Sequence, residues 1–249
     1  MDDTVSEKCL NCDALLDGAY CSNCGQKHIS GTLTFNYFVK SFIHEIANTD
    51  SRIWHTVIEL VKSPGFVARQ YVLGARQKYI NPLRLCLVLV GGYIAFLALN
   101  GWLAVDYRAN TANLETEFLK AWADLYSNHR LFIYLASIPI AAYAIRWGFY
   151  KSRYNYAATL IMLLFVGALY SLYGITLVLI YFLFGLDFFS PSMDISELII
   201  GLVVYYQGVK SFYEYGWFKS LFATLWVFIL LTMAAYLVTF ATTWVVVSL

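Results

Sequence analysis

Long apolar runs dominate the pattern of hydrophobic and polar positions in this chain. Three of them, over residues 85–105, 157–186 and 220–249, contain no Asp, Glu, Lys, Arg or His. Each exceeds the roughly 20 residues that an α-helix needs to cross about 30 Å of hydrocarbon. Residues 131–149 and 195–212 are also largely apolar. The pattern therefore predicts an all-α integral membrane protein with about five transmembrane helices.

The composition supports this class of protein. Of the 249 residues, 60% are apolar and only 13% are charged, whereas a soluble domain carries about 25% charged residues. A secreted disulfide scaffold, a disordered chain and a basic nucleic-acid-binding domain do not fit this composition, and no nucleic-acid partner is expected. The 17 basic and 16 acidic residues nearly cancel, so the net charge identifies no partner.

Residues 1–84 precede the first predicted span and divide into two parts. Residues 1–30 are polar, carry four cysteines and lack the apolar run of a signal peptide. Residues 31–84 contain apolar positions at helical spacing. They predict a helix over 31–48, a second from Asp50 or Ser51 to about Ser63, and a third over 66–73 that ends at Gly74. These helices either lie on the membrane surface or pack as a cytosolic subdomain, and the sequence leaves both open.

The distribution of basic residues predicts how the bundle of residues 85–249 is oriented. Fourteen of the 17 Lys and Arg residues fall in residues 1–84 or near the loops that follow the second and fourth predicted spans. Lys and Arg are enriched on the cytosolic side of membrane proteins. We therefore expect a cytosolic N-terminus and, with five spans, a C-terminus outside.

Four cysteines form the strongest chemical motif of the chain, Cys9-x2-Cys12-x8-Cys21-x2-Cys24. Two Cys-x-x-Cys pairs supply four thiolates, the ligand set of a closed tetrahedral zinc site. Gly25 follows the second pair and lets the chain turn beneath the metal. We expect one structural Zn²⁺ per chain. The alternatives are a rubredoxin-like iron site, a redox dithiol pair and a labile sensing site.

This motif continues into a pattern that resembles a known family. Its elements are Tyr20-Cys-x-x-Cys-Gly25-Gln26, Pro64-Gly65, Tyr71, Gly74, Arg76, Tyr79 and Pro82. Over about residues 9–84 the pattern resembles DUF3667, a family of uncharacterised bacterial membrane proteins with an N-terminal zinc-ribbon-like segment. The resemblance implies a multi-pass protein of the bacterial inner (cytoplasmic) membrane. It implies no reaction, substrate or catalytic residue.

A basic and aromatic segment, which we call the collar, lies just before the first span. Its residues are Arg69, Arg76, Lys78, Tyr79 and Arg84, and no acidic residue occurs from 60 to 105. One interpretation is a positive-inside signal that only fixes the topology. The other is a headgroup site for membrane lipids, in which the cations bind phosphate and the tyrosine ring lies at the interface.

A second polar group lies at the end of the fourth predicted span and consists of Tyr205, Gln207, Lys210 and Glu214. These residues either line a polar cavity or belong to an aromatic belt at the cytosolic end of the helix. The sequence leaves both interpretations open.

No catalytic motif is found in the sequence. The four histidines are scattered, and neither a Gly-x-Ser-x-Gly elbow nor a Gly-rich phosphate loop occurs. The favoured hypothesis is a non-enzymatic membrane protein whose zinc ribbon braces the bundle or docks a cytosolic protein through residues 1–60. The alternative is a transport or channel protein that handles lipids or apolar solutes at the collar. A membrane enzyme is the third hypothesis.

Overall fold

The computed structural model describes residues 8–16, 18–26, 52–100, 117–186 and 190–248. These residues form eight helices and no strand, and one isolated antiparallel bridge pairs Lys8 with Leu15. The helices are α1 (Arg52–Lys62), α2 (Pro64–Leu73), α3 (Pro82–Leu99), α4 (Glu117–Asn128), α5 (Arg130–Gly148), α6 (Tyr156–Leu183), α7 (Pro191–Tyr213) and α8 (Trp217–Ser248). The helix predicted over 31–48 lies outside the described residues.

Four of these helices are long and apolar enough to cross a membrane: α3, α5, α6 and α8. They overlap the predicted spans 85–105, 131–149, 157–186 and 220–249. Helices α3 and α8 begin three residues earlier than predicted, at Pro82 and Trp217, and α3 ends at Leu99 rather than at residue 105. The prediction of a multi-span, all-helical membrane protein is therefore confirmed.

The predicted span 195–212 lies within α7, which is not one of those four. Asp194, Glu197 and Lys210 make this helix less apolar than its neighbours. It nevertheless runs antiparallel to α6 along its length. The Tyr181 hydroxyl lies 3.2 Å from the Ser192 hydroxyl at one end, and the hydroxyls of Thr159 and Tyr213 are 3.4 Å apart at the other. Helix α7 therefore covers the same depth as α6.

Helix α6 forms the centre of the bundle. Every residue from Ala157 to Leu169 is buried, which fits a helix that is apolar on all sides. Helices α2, α3, α5 and α7 pack around it. The helix begins at Asn155, whose side chain accepts a hydrogen bond of 2.9 Å from the Ala158 N–H and so satisfies one of the free N–H groups of the first turn.

Helices α2 and α3 each begin with a proline, and a turn joins them just before the first span, α3. Pro64 and Pro82 begin α2 and α3, where a missing N–H costs no helical hydrogen bond. Gly74 ends α2 at φ 125°, a backbone angle that favours glycine. The Asn81 side chain caps α3 by accepting a hydrogen bond from the Leu83 N–H at 3.0 Å. The predicted third helix and its end at Gly74 are thereby confirmed.

Helix α4 was not predicted, because it lies in residues 106–130, between the first and second predicted spans. Its apolar residues contact the C-terminal half of α8. The rings of Trp122 and Tyr236 lie 6.0 Å apart, and those of Phe118 and Phe240 lie 5.6 Å apart. Three charged residues within twelve hide this amphipathic pattern from a search for spans.

Helices α2 and α7 approach each other most closely at Gly65. A Cβ atom at this position would overlap the Gly208 carbonyl oxygen, the Ser211 hydroxyl and the Phe212 nitrogen. Two of these three atoms belong to the backbone, so they cannot move aside by changing a rotamer. Gly208 in turn lies against the Val166 side chain of α6, and α2 is thus fixed to the bundle where these glycines meet.

We expect Gly65→Ala to destabilise the protein by about 1–3 kcal/mol, because the added methyl group forces α2 away from α7. The apparent melting temperature of purified protein in detergent measures this loss. Gly91→Ala is the matched control, since no heavy atom lies within 4 Å of a Cβ there and alanine is the better helix former. Equal melting temperatures for the two variants would contradict the close approach.

Candidate metal centre and its contacts with the collar

The two Cys-x-x-Cys pairs adopt the same backbone geometry. In the first, the Asp13 N–H donates to the Cys9 carbonyl at 2.9 Å and the Cys9 N–H donates to Ala14 at 2.8 Å. In the second, the Gly25 N–H donates to Cys21 at 2.8 Å and the Cys21 N–H donates to the Gln26 carbonyl at 2.9 Å. This repetition makes the segment a pair of equivalent knuckles that face each other.

Each knuckle turns through one residue of positive φ, Asp13 at 58° and Gly25 at 70°. Glycine takes this conformation without strain, and aspartate is among the few other residues that adopt it readily. The sequence predicts this role for Gly25 but not for Asp13. The signal that would have found Asp13 is its position directly after Cys12, which is equivalent to the position of Gly25 after Cys24.

The sulfur atoms of all four cysteines converge. The Sγ atoms of Cys9 and Cys24, and those of Cys12 and Cys21, are each 3.6 Å apart, and all four lie within 4.8 Å of one another. Four thiolates at about 2.3 Å from a tetrahedral zinc would be separated by roughly 3.8 Å. The four cysteines therefore fit a single metal ion, as the spacing predicts.

The protein environment shifts the acidities of the two partly exposed thiols in opposite directions. Hydrogen bonds from the Ala14 backbone and the Asn23 side chain lower the pKa of Cys12 to about 6. Burial raises the pKa of Cys24 to about 11. Hydrogen bonds that favour a thiolate are typical of the surroundings of a metal ligand, whereas at Cys24 the cation itself would have to displace the proton.

The second knuckle is joined to the turn between α2 and α3 through the side chain of Gln26. Its Nε2 donates to the Gly74 carbonyl at 2.7 Å, and its Oε1 accepts from the N–H groups of Arg76 and Gln77 at 3.2 and 3.3 Å. The side chain is buried. One carboxamide thus satisfies three backbone groups of a turn that has no regular secondary structure.

The first knuckle contacts the same turn. The Asn11 side chain accepts a hydrogen bond from the Lys78 N–H at 2.9 Å, and the Leu10 side chain lies directly over Gly74, where a Cβ would overlap it. The two knuckles therefore form one surface that packs on residues 74–78.

Below this turn, Glu59 of α1 lies at the centre of a small cluster. Its carboxylate accepts a 2.5 Å hydrogen bond from the Tyr79 hydroxyl and forms an ion pair with Lys78 at 3.1 Å. The His55 Nε2 lies 3.2 Å from the same carboxylate. Burial alone would raise the pKa of Glu59, but the Tyr79 hydrogen bond and the neighbouring Lys78 lower it overall. Burial and the carboxylate raise the pKa of Tyr79.

The structure places the collar residues in several different environments. Tyr79 is completely buried, so its ring does not lie at a lipid interface as predicted. Lys78 forms an ion pair with Glu59, and Arg69 forms one with Glu214. Arg84 and Arg76 are partly buried. The role of the collar in binding lipid headgroups stays a prediction.

The four residues interpreted from the sequence as a polar cavity or an aromatic belt are not brought together around one cavity. Tyr205 is buried inside the bundle, whereas Gln207 and Lys210 are exposed. Lys210 lies 5.6 Å from the ring centroid of Tyr206. Glu214 ends α7 and pairs with Arg69 and, at 2.9 Å, with Arg153. The Arg69 guanidinium lowers the pKa of Glu214.

Three residues that organise this region were not given a role from the sequence. Gln26 was named only as part of a motif, Glu59 was not named, and Glu214 was named only as a residue of a polar cavity or an aromatic belt. The run of cations from 62 to 84 without any acidic residue is the signal that points to distant carboxylate partners, because partly buried cations need carboxylates from elsewhere in the chain.

We expect Tyr79→Phe to destabilise the protein by about 1–3 kcal/mol at pH 7, since it removes a hydrogen bond to a partly buried carboxylate. Because the pKa of Glu59 is lowered in the folded protein, its carboxylate stabilises wild type fully above about pH 4.3, the ordinary pKa of glutamate. This stabilisation is lost as the pH falls through the lower pKa of the folded state. Tyr79→Phe should therefore lose less stability on acidification. Chemical unfolding in detergent between pH 3 and 8 measures this.

Tyr150→Phe is the control for this prediction, because Tyr150 is exposed. Parallel acid profiles for wild type and Tyr79→Phe would contradict the assigned role of the Tyr79 hydroxyl.

Comparison with known proteins supports the resemblance over part of the chain. No curated protein and no solved structure matches the chain. The family DUF3667, described as a protein of unknown function, matches residues 50–93. This segment contains α1, α2, the turn onto which the knuckles pack, and most of α3, but not the four cysteines of the knuckles. Over these residues the chain is similar to DUF3667 proteins, which confirms the family resemblance of the Pro64–Pro82 pattern.

Proposed function

We propose that this chain is a non-enzymatic, multi-pass inner-membrane protein in which a structural zinc ribbon braces the entry to the first span. The observation that carries the proposal is the Gln26 side chain, which joins the second knuckle to three backbone groups of the turn before α3. The ribbon thus acts on the segment that leads into the membrane, rather than standing apart as a separate domain.

Zinc is the metal that this ligand set favours. Four convergent cysteines leave no open coordination position, as is typical of structural sites, whereas catalytic zinc keeps one position for water or substrate. When bound, the ion would hold the two knuckles together. A segment of about 20 residues cannot bury enough apolar surface to fold alone, so the metal would supply the rigidity that the brace needs.

Bracing is favoured over lipid binding at the collar by the contacts of the cations. Lys78 and Arg69 each have a carboxylate partner within the protein, and the Lys78 N–H is held by the ribbon. Binding of a cytosolic protein to residues 1–60 and binding of anionic lipid to the collar both stay predictions. A membrane enzyme gains no support from the contacts around the metal centre.

The orientation proposed is N-terminus in the cytosol and C-terminus outside, with α7 as a fifth crossing. Free thiolates persist in a reducing compartment, which is consistent with a cytosolic ribbon. The antiparallel contacts of α7 with both ends of α6 support α7 as the fifth crossing.

Two variants distinguish the loss of metal binding from the loss of the contacts between the ribbon and the turn. We expect about one zinc per purified chain, and none in a Cys9→Ser/Cys24→Ser double variant. Gln26→Ala should keep its zinc, because the hydrogen bond from Cys21 to residue 26 uses the backbone carbonyl. It should still destabilise the protein by about 2 kcal/mol through the loss of three hydrogen bonds. Metal analysis and melting in detergent measure the two effects.

Ser22→Ala is the matched control, because Ser22 is an exposed residue of the same knuckle. Purified protein with four ordered thiols and no metal would refute the zinc site. A Gln26→Ala variant as stable as Ser22→Ala would refute the brace while leaving the zinc site intact.

The five-crossing topology predicts which added cysteines react from outside the cell. A membrane-impermeant maleimide should label Ser192→Cys and Val247→Cys in intact cells, and Ser152→Cys only after permeabilisation. If Val247→Cys behaves like Ser152→Cys, an even number of crossings separates them and α7 does not span. The unmodified chain reports the background from its own five cysteines.

A further inference from the structure

Helix α1 carries an exposed apolar stripe, which consists of Trp54, Ile58 and Val61 and which we call the α1 stripe. These side chains are 74%, 54% and 43% exposed. Their spacing of four and three residues places them on one face of the helix. Thr56 and Leu60 are buried on the side that packs against the rest of the protein. A contiguous exposed apolar stripe indicates a contact with a membrane or with another protein.

The polar residues of α1 face in a different direction. Arg52 donates a hydrogen bond to the Gln77 side chain at 3.1 Å, and Glu59 binds Lys78 and Tyr79. These partners belong to the turn onto which the ribbon packs. With 3.6 residues per turn, the α1 stripe lies roughly 140° around the helix from Arg52 and Glu59. The stripe therefore faces away from the ribbon.

The depth of α2, the next helix, follows from its contacts with α6 and α7. Gly65 lies against Gly208, which in turn lies against Val166 of α6. The rings of Tyr71 and Phe165 are 5.6 Å apart. Positions near both ends of α2 are therefore at one level of α6, so α2 lies across the axis of the bundle. This level is about 14 Å from the start of α6.

The lengths of the spans place the boundary of the hydrocarbon close to this level. Helix α6 has 28 residues and is about 42 Å long, whereas the hydrocarbon is about 30 Å thick. At most about 12 Å of α6 thus protrudes on the ribbon side, because a tilt, or a protrusion on the opposite side, shortens this part. Helix α2, at about 14 Å, therefore lies at or just below the boundary.

Helix α3 gives the same boundary independently, and α1 lies beside its start. The 18 residues of α3 reach only about 27 Å, so the hydrocarbon must begin near Pro82. Tyr93 lies beside Gly174 of α6, which puts the start of α3 at the level of about residue 163 of α6. The Ile80 N–H, two residues before α3, donates to Thr56 of α1. The α1 stripe is therefore at the boundary as well.

We propose that the α1 stripe inserts into the phospholipid leaflet on the ribbon side, where its side chains lie between the headgroups and the acyl chains. Interfacial helices bury an apolar face in this way and keep a charged face in water. Helix α1 thus packs on the protein with one side and on lipid with another. In the proposed orientation this leaflet is the cytosolic one. The contact goes beyond the zinc brace and does not depend on the metal.

The test measures how deeply the side chain at position 58 lies in a bilayer. In the full chain, p-acetylphenylalanine replaces Ile58 and is labelled with a hydroxylamine nitroxide, which leaves the cysteines unmodified. The protein is placed in nanodiscs of phosphatidylcholine and phosphatidylglycerol. Power-saturation EPR then compares the collisions of the label with oxygen, which concentrates in hydrocarbon, and with a water-soluble nickel chelate. We expect a ratio of oxygen to nickel collisions that corresponds to about 5–10 Å below the headgroups.

Labels at Val88, which is exposed on the span α3, and at Ser22, which is exposed on the ribbon, are the references for hydrocarbon and for water. A label at Trp54 is the second test position and should match position 58. A melting temperature close to that of wild type confirms that each labelled protein is folded. The proposal is refuted if the nickel chelate reaches positions 54 and 58 as readily as Ser22. It is also refuted if neither reagent reaches them, because the stripe is then covered by protein.

Discussion

The structure before the first span depends on how the polar backbone of residues 74–80 is satisfied. This turn lies in neither a helix nor a strand, and a buried N–H or C=O group without a partner costs as much as a lost hydrogen bond. Side chains satisfy it from two directions. Gln26 and Asn11 bind it from the ribbon, and Thr56 of α1 accepts the Ile80 N–H at 3.1 Å. The turn therefore fixes the ribbon, α1 and the start of α3 to one another.

Ion pairs neutralise two of the cations near this turn. The chain has no acid from residue 60 to 105, yet two of its cations lie beside carboxylates in the fold. Glu59 reaches Lys78 across the turn, and Glu214 reaches Arg69 from the end of α7. Because α2 and α7 touch at Gly65 and Gly208, that second pair depends on the close packing of the two helices. Two cations of the collar, Arg69 and Lys78, thus form ion pairs inside the protein.

Much of this fold could be predicted from the sequence, for a physical reason. A bilayer imposes a length and an apolar composition on each span, so α3, α5, α6 and α8 were predictable to within a few residues of their ends. The convergence of the four cysteines was predictable because two Cys-x-x-Cys pairs have the spacing of a four-thiolate metal site. Helix α4 was missed because it is amphipathic and too short to span. The contacts of Gln26 with Gly74, of Glu59 with Tyr79 and of Glu214 with Arg69 join residues 20 to 145 positions apart, and local pattern does not reveal such contacts.

We propose that a metal-bound ribbon holds the turn, and amide hydrogen exchange before and after chelation tests this most directly. The N–H groups of Gln77 and Lys78 donate to ribbon side chains, whereas the Ile80 N–H donates to Thr56 of α1. We expect chelation to speed amide exchange at Gln77 and Lys78 and to leave Ile80 protected. Unchanged exchange at Gln77 and Lys78 after the metal is lost would contradict it.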